Sequence, residues 1–328
     1  RDCLLSRGLG DVYKRQIFYL KDLEGDTNES LSNSTLNASL SHSFDQTLRY
    51  NGSLSFAWQP EPNYSNGIAN SRRDGDYIYV YVSSSLSKAW TTRYSTTVGA
   101  SYSMIDYQED SAKTDNRQYF NLNLNNRYKW TERLALSINW NGSYCDREYG
   151  NNEFSNFVMA GAEYAVAQNT SATLRVGPQF KHVDNYGTKT YPSAEFGLNH
   201  RMSDRFSLGM FVRYSNEATN TYVPQTGASY YSNETWRVGL TSTMKVTHRV
   251  SLNAGVNLIS SDYSRPSSSS TDTKTLTFNA TAGVKMMLTN VLALTAQYSY
   301  TNGSYSGYNF PMPSYNRNVF SFGMNYSF

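Results

Sequence analysis

QYFNLNLNNRYKWTERLALSINWNGSY, residues 118–144, decides how the rest of the chain is read. Its first arm sets Phe120, Leu122 and Leu124 against Asn121, Asn123 and Asn125. Trp130, Thr131 and Glu132 turn the chain, and the second arm sets Leu134, Leu136, Ile138 and Trp140 against Ala135, Ser137, Asn139 and Asn141. Successive side chains of an extended strand point to opposite faces, so each arm has one apolar face and one small-polar face. The stretch therefore reads as a β-hairpin that must hide one face of both arms from water.

The same pattern recurs on both sides of it. Leu36, Ala38 and Leu40 answer Leu48, Tyr50, Leu54 and Phe56 across Asp45-Gln46, and Ile78, Val80 and Val82 answer Val98, Ala100 and Tyr102 across Lys88-Ala89-Trp90. Downstream, Val158, Ala160, Ala162 and Tyr164 answer Leu174, Val176 and Phe180, and Phe196 and Leu198 answer Phe206, Leu208, Met210 and Val212. Trp236, Val238 and Leu240 then face Leu252, Ala254, Val256 and Leu258, and Leu276, Phe278, Ala280 and Val284 face Leu292, Leu294, Ala296 and Tyr298. At the other ends of these hairpins the connections are longer and highly polar, for example 60–75, 216–232, 264–273 and 302–315. Short turns at one end and long loops at the other is the asymmetry of an outer-membrane barrel, whose long loops lie outside the cell.

Composition agrees. The 328 residues are only 39% hydrophobic and mean hydropathy is −0.60, with no run of about 18 apolar residues for a membrane helix. Yet 28 Tyr, 15 Phe and 5 Trp are too many for a solvated, disordered chain. A barrel wall reconciles the two, because half of each strand meets lipid, half meets water, and aromatic residues collect at the boundary. Net charge is +3 with 17% charged residues, too dispersed for a nucleic-acid surface. Two cysteines, Cys3 and Cys145, provide neither a disulfide framework nor metal spacing, and no cofactor or metal is expected.

Three segments are expected. Residues 1–16, RDCLLSRGLGDVYKRQ, carry none of the alternation or Ser/Asn/Tyr bias of the rest and read as a non-native leader. Residues 17–34 read as the remnant of a first strand and its loop, the strand being either Ile17–Leu20 or lost upstream, and residues 35–328 as the barrel. The fold class is all-β, an antiparallel transmembrane β-barrel of about 15 visible strands. Single-chain bacterial barrels have an even count, so the expected complete number is about 16.

The most specific local signal is the last strand, whose alternate residues are Phe320, Phe322, Met324, Tyr326 and Phe328. An aromatic strand edge of this kind suits pairing with the sheet edge of an outer-membrane assembly machine. With the repeated hairpins, such as LNHRMSDRFSLGMFVRYS at 198–215, and the ending YNRNVFSFGMNYSF at 315–328, the chain resembles the type-2 β-barrel porins. The resemblance implies an outer-membrane protein of a Gram-negative-type bacterium associated with exopolysaccharide systems, and it brings no catalytic motif.

If the apolar set faces lipid, the opposite parity points into the lumen. That set contains Arg49, Arg93, Arg175, Lys181, Arg213, Arg237, Lys245 and Lys285, against Glu163 and Glu195. About sixteen strands leave an aqueous channel, and a cationic excess in it would favour anions. The expected function is therefore a porin-like channel for passive diffusion of small polar solutes, with anion preference. The alternatives are an accessory of exopolysaccharide export, or a non-conducting surface or adhesive barrel. Tyr222, Tyr230, Tyr231, Tyr305 and Tyr308 lie in outer loops and are candidate glycan contacts. Expected partners are the lipid bilayer, the assembly machinery and small polar solutes or polysaccharide, with no nucleic acid; an oligomer is allowed. No enzyme is expected: of the four histidines, His42, His200 and His248 fall near periplasmic turns, and His182 beside Asp184 has no identifiable nucleophile.

Overall fold

The computed structural model describes residues 11–17, 31–59, 77–108, 113, 116–148, 150–218, 222–223, 228–229, 232–264, 273–306 and 314–326. The strands are β1 Asp11–Ile17, β2 Leu31–Ser43, β3 Leu48–Gln59, β4 Tyr77–Ala89, β5 Tyr94–Tyr107 and β6 Arg117–Lys129. They continue as β7 Leu134–Arg147, β8 Glu153–Ala167, β9 Thr170–Val183, β10 Gly187–Arg201, β11 Phe206–Asn216, β12 Tyr222–Val223 and β13 Ala228–Ser229. The last five are β14 Ser232–Lys245, β15 Val250–Ser264, β16 Thr273–Met287, β17 Leu292–Ser306 and β18 Tyr315–Tyr326. There is no α-helix among the described residues.

Every neighbouring pair is antiparallel and all but β11–β14 and β1–β18 are sequential, the small β12–β13 hairpin sitting outside the main sheet between β11 and β14. A typical 14-residue strand such as β7 is about 46 Å long and, tilted by about 40°, rises about 35 Å, enough for an apolar band about 25 Å tall. β7 also shows how sidedness is set. Leu136 and Ile138 are 40% and 62% exposed, whereas the alternating Ala135 and Ser137 are 4% and 6% exposed. Exposed aliphatic groups and enclosed small polar ones invert the layout of a water-soluble sheet, and they identify the exposed face as lipid-facing.

The expectation of a barrel with about 15 visible strands is corrected, because the fifteen long strands do not close without β1. The fifteen long strands, β2–β11 and β14–β18, form one antiparallel sheet that does not close on itself, since its edge strands β2 and β18 are not neighbours. Among the described residues they are joined through β1, which matches β2 over seven residue pairs and β18 over two, Gln16 with Phe322 and Ile17 with Ser321. The physical reason is in the strand's sequence. In DVYKRQI neither alternating set is apolar, so β1 has no lipid-facing stripe with which to continue the wall. The first strand also begins earlier than Ile17–Leu20, and Phe18–Leu20 lie outside the described residues.

Short turns close one end of the sheet. In the β2–β3 turn the Asp45 carboxylate accepts hydrogen bonds from the Thr47 amide at 2.5 Å, the Thr47 hydroxyl at 2.7 Å and the Leu48 amide at 2.8 Å. These bonds, the Thr47 hydroxyl first, hold its carboxyl below the ordinary value, with the Lys88 charge adding to the effect. Thr91, Thr131, Thr247 and Thr289 close later turns in the same way, each hydroxyl accepting from the amides two and three residues on. At the outer end the β9–β10 connection is itself tight, with Asn185 at φ 69° and Gly187 at φ 78°.

Candidate functional site

The inward residues divide by height. Near the short-turn end Arg49, Arg93, Lys245 and Lys285 are exposed, Arg93 within the β4–β5 turn itself. A polar recess of about 420 Å³ opens there, lined by Ser171, Asn199, Arg201, Ser207, Thr241 and Thr243 among others. Toward the loop end the inward side chains are enclosed instead. Tyr77, Gln179, Lys181, Asn233, Thr235, Ser261 and Tyr263 are all at most 1% exposed.

At that enclosed end the alternation of β7, β8 and β9 aims three charges at one point. The Glu153 carboxylate lies 2.8 Å from Arg147 Nη2 and 3.0 Å from Lys181 Nζ, and the three side chains are 3%, 7% and 1% exposed. Lys181 also donates to Asn216 Oδ1 at 2.9 Å and to the Glu217 carbonyl at 2.8 Å. Desolvated ions are tolerated when they are paired and hydrogen-bonded, as Lys181 is, whereas Arg147 Nη2 meets Glu153 as an ion pair without an aligned hydrogen bond.

Asn216, the last residue of β11, and Glu217 just after it form a short strap that side chains of β9 reach past the intervening β10. Gln179 on β9 acts as a backbone substitute: its Nε2 donates to the Asn216 carbonyl at 2.6 Å and its Oε1 accepts the Asn216 amide at 2.9 Å. The Asn216 amide group donates to Ser232 Oγ at 2.5 Å, and the Glu217 amide donates to the Asn233 carbonyl at 2.8 Å. Arg237 on β14 grips the Glu217 carboxylate with both arms of its fork, Nε and Nη2, at 2.6 Å each. The strap is thus pinned to β9 on one side and to β14 on the other.

Below it, charges of the lumen pair as well. Arg175 lies 3.4 Å and Arg213 3.6 Å from opposite oxygens of Glu195, and Arg127 lies 2.9 Å from Glu163. The outer-half cations expected from the sequence, Arg175, Lys181, Arg213 and Arg237, therefore each face a carboxylate, Arg175 and Arg213 sharing one, which offsets part of the cationic excess at that height. Arg127, Arg147, Glu153 and Glu217 were missing from that expectation. The first three follow the odd-number parity of β6, β7 and β8, so extending the alternation to the strand ends would have found them.

The remaining sequence-derived residues fall outside the lumen. On β18, Phe320, Phe322 and Met324 are 42%, 68% and 64% exposed on the lipid side, and Phe320 packs against Tyr298 with ring centres 4.7 Å apart. The Tyr326 side chain and Phe328 lie outside the described residues. So do Tyr230, Tyr231 and Tyr308, while Tyr222 and Tyr305 are described only as backbone of β12 and β17. His182 is half exposed on the outer face; its Nδ1 pairs with Thr188 Oγ1 at 3.0 Å and its Nε2 stands 3.8 Å from Asp184, too far for an orienting hydrogen bond.

An antiparallel sheet with a lipid-facing belt and an ion-paired interior defines the class: an integral β-barrel protein of a membrane. Residues 174–328 match the family described as "Outer membrane protein beta-barrel domain". The protein is placed in the outer membrane of a Gram-negative-type bacterium. The match does not extend to the narrower exopolysaccharide-associated porins. Among solved structures, the FrpB iron transporter from Neisseria meningitidis superposes with a TM-score of 0.50 at 8% identity, over 94% of this chain and 63% of that one. The alcaligin outer membrane receptor FauA from Bordetella pertussis gives 0.47 at 11%, over 98% and 65%. A loop L8 deletion mutant of OmpT, an outer membrane protein of Vibrio cholerae, gives 0.45 at 11%, over 97% of both chains. The chain thus spans less than two thirds of the first two, and the likeness is one of fold. No curated protein matches the chain at a significant level.

Proposed function

We propose that the protein is a transport-associated outer-membrane barrel whose outer mouth is held shut, rather than an open porin for passive diffusion. The observation that carries this reading is the enclosed Arg147–Glu153–Lys181 cluster with the strap docked on it. An open aqueous lumen would leave inward ions hydrated, as Arg49 and Lys285 are at the other end. The role is non-enzymatic: the barrel offers lipid contact outside and fixed, paired charges inside. Anion preference, where solute passes, would come from the exposed cations of the inner mouth.

The test is conductance of the refolded protein in a planar bilayer. The wild type should insert and give no sustained open steps, and loosening the strap by Glu217→Gln should produce them. Stable steps from the wild type would overturn the closed-mouth reading. Silence from both proteins would favour a surface or polysaccharide-export role without a conducting lumen. Glycan binding that is lost in a Tyr230→Ala, Tyr231→Ala variant would then support the polysaccharide branch.

A further inference from the structure

Four consecutive strands present Arg175, Glu195, Arg213 and Arg237 side by side. Glu195 pairs in register with Arg175 on one side and Arg213 on the other, and Arg213 pairs with Arg237. All four follow the inward parity. At a strand spacing of about 4.8 Å the row extends about 14 Å across the wall. It holds three guanidinium groups and one carboxylate. Two cations directly opposite one another, as Arg213 and Arg237 are, repel unless something lies between or beside them.

The charges beside them do so unevenly. Glu217 takes both arms of Arg237. Glu195 is shared between Arg175 and Arg213 at 3.4 and 3.6 Å, longer than a charge-assisted bond of about 2.8 Å. The Nε atoms of Arg175 and Arg213 are both enclosed and without a hydrogen-bond partner. Gly161, next to Arg175 in register, keeps the space beside it free: a Cβ there would lie 3.0 Å from Arg175 Cγ and 2.6 Å from Ser137 Oγ. The row is thus short of acceptors, and its cations are held by carboxylates that a better anion can displace.

We infer that this row is a binding site for a multiply charged tetrahedral oxyanion, such as the phosphate group of a solute, bridging Arg213 and Arg237 in competition with Glu217. Guanidinium forks take such groups through paired hydrogen bonds, which a single chloride cannot supply. The consequence rests on the closed-mouth reading: Glu217 belongs to the strap, so an anion that takes Arg237 weakens one of its two anchors. Ligand binding and strap release are then reciprocally coupled.

The test is isothermal titration of the folded, detergent-solubilised protein with inorganic phosphate at constant ionic strength, with chloride and citrate as comparison anions. Wild type should bind phosphate more tightly than chloride. Arg213→Gln should weaken phosphate binding at least tenfold, and Glu217→Gln should tighten it severalfold because the internal competitor is gone. Lys274→Gln, exposed on β16 and outside the row, should leave it unchanged. Tighter binding of citrate than phosphate would overturn the tetrahedral preference. Equal binding by wild type, Arg213→Gln and Glu217→Gln, or no phosphate binding by any of them, would overturn the site. Binding is read without conductance, so a conducting wild type that still binds phosphate defeats the closed mouth and leaves the site standing.

Discussion

Glu153→Gln removes the charge that Arg147 and Lys181 share while keeping the shape of the side chain. Both cations would remain enclosed, 7% and 1% exposed. Removing one partner of a buried pair costs about 3–5 kcal/mol, because the surviving charge is left uncompensated. Here Lys181 keeps its bonds to Asn216 and the Glu217 carbonyl, and Arg147 keeps the Asn151 carbonyl at 2.8 Å. Those contacts put the expected loss at the lower end, about 3 kcal/mol. With a urea slope of about 3 kcal/mol per molar, the unfolding midpoint of the lipid-refolded protein should fall by about 1 M. The internal control is Glu163→Gln, whose partner Arg127 is 40% exposed, so its loss should stay below about 1 kcal/mol. Adding Lys181→Met to Glu153→Gln should recover part of the stability, since one of the two cations left uncompensated is then gone. Equal midpoints for Glu153→Gln and Glu163→Gln would refute the argument, for they would mean that water reaches both pairs alike.

Three further outcomes follow from other parts of the molecule. Ile138→Lys, at a position 62% exposed on the outer face, should cost about 2–4 kcal/mol in lipid refolding, whereas a water-facing site would tolerate it; a neutral result would deny that this face meets lipid. Gly177→Ala should destabilise the β8–β9 seam by about 1–3 kcal/mol or more, because its Cβ would fall 1.9 Å from the Val158 carbonyl oxygen; an unchanged melting profile would contradict that close approach. Asp45 titrates below its ordinary value of 3.8 in the folded turn. Its contribution is therefore complete above the ordinary carboxylate range and is lost as pH falls through the depressed value. Hydrogen exchange at the Thr47 and Leu48 amides should be slow at neutral pH, accelerate structurally only in strong acid, and be fast at every pH in Asp45→Ala.

Period-2 alternation made most of the wall legible in the sequence. Residues 118–144 alone gave the hairpin of β6 and β7 with its turn and both faces, because lipid on one side and small polar groups on the other leave no freedom of register. The inward parity of Arg175, Arg213 and Arg237 was legible for the same reason. Their partners were not. Glu217 lies just beyond β11, where alternation stops carrying information, and it meets Arg237 by a bend of the chain rather than by strand position. The contact of Gln179 with Asn216 spans two strands that are not neighbours, and a one-dimensional pattern has no term for that. The short strand β1 was unreadable because its residues lack the lipid stripe that identified every other strand.

That strand has a consequence for how the wall comes apart. Elsewhere each joint is sewn by long runs of paired residues, fourteen between β15 and β16 alone, so pulling any one of them open means breaking many bonds together. At the joint between β1 and β18 the described residues supply two pairs. Among the described residues the ring has its fewest pairs there, and heat, denaturant or an inserted strand from another chain should open that joint before the longer ones.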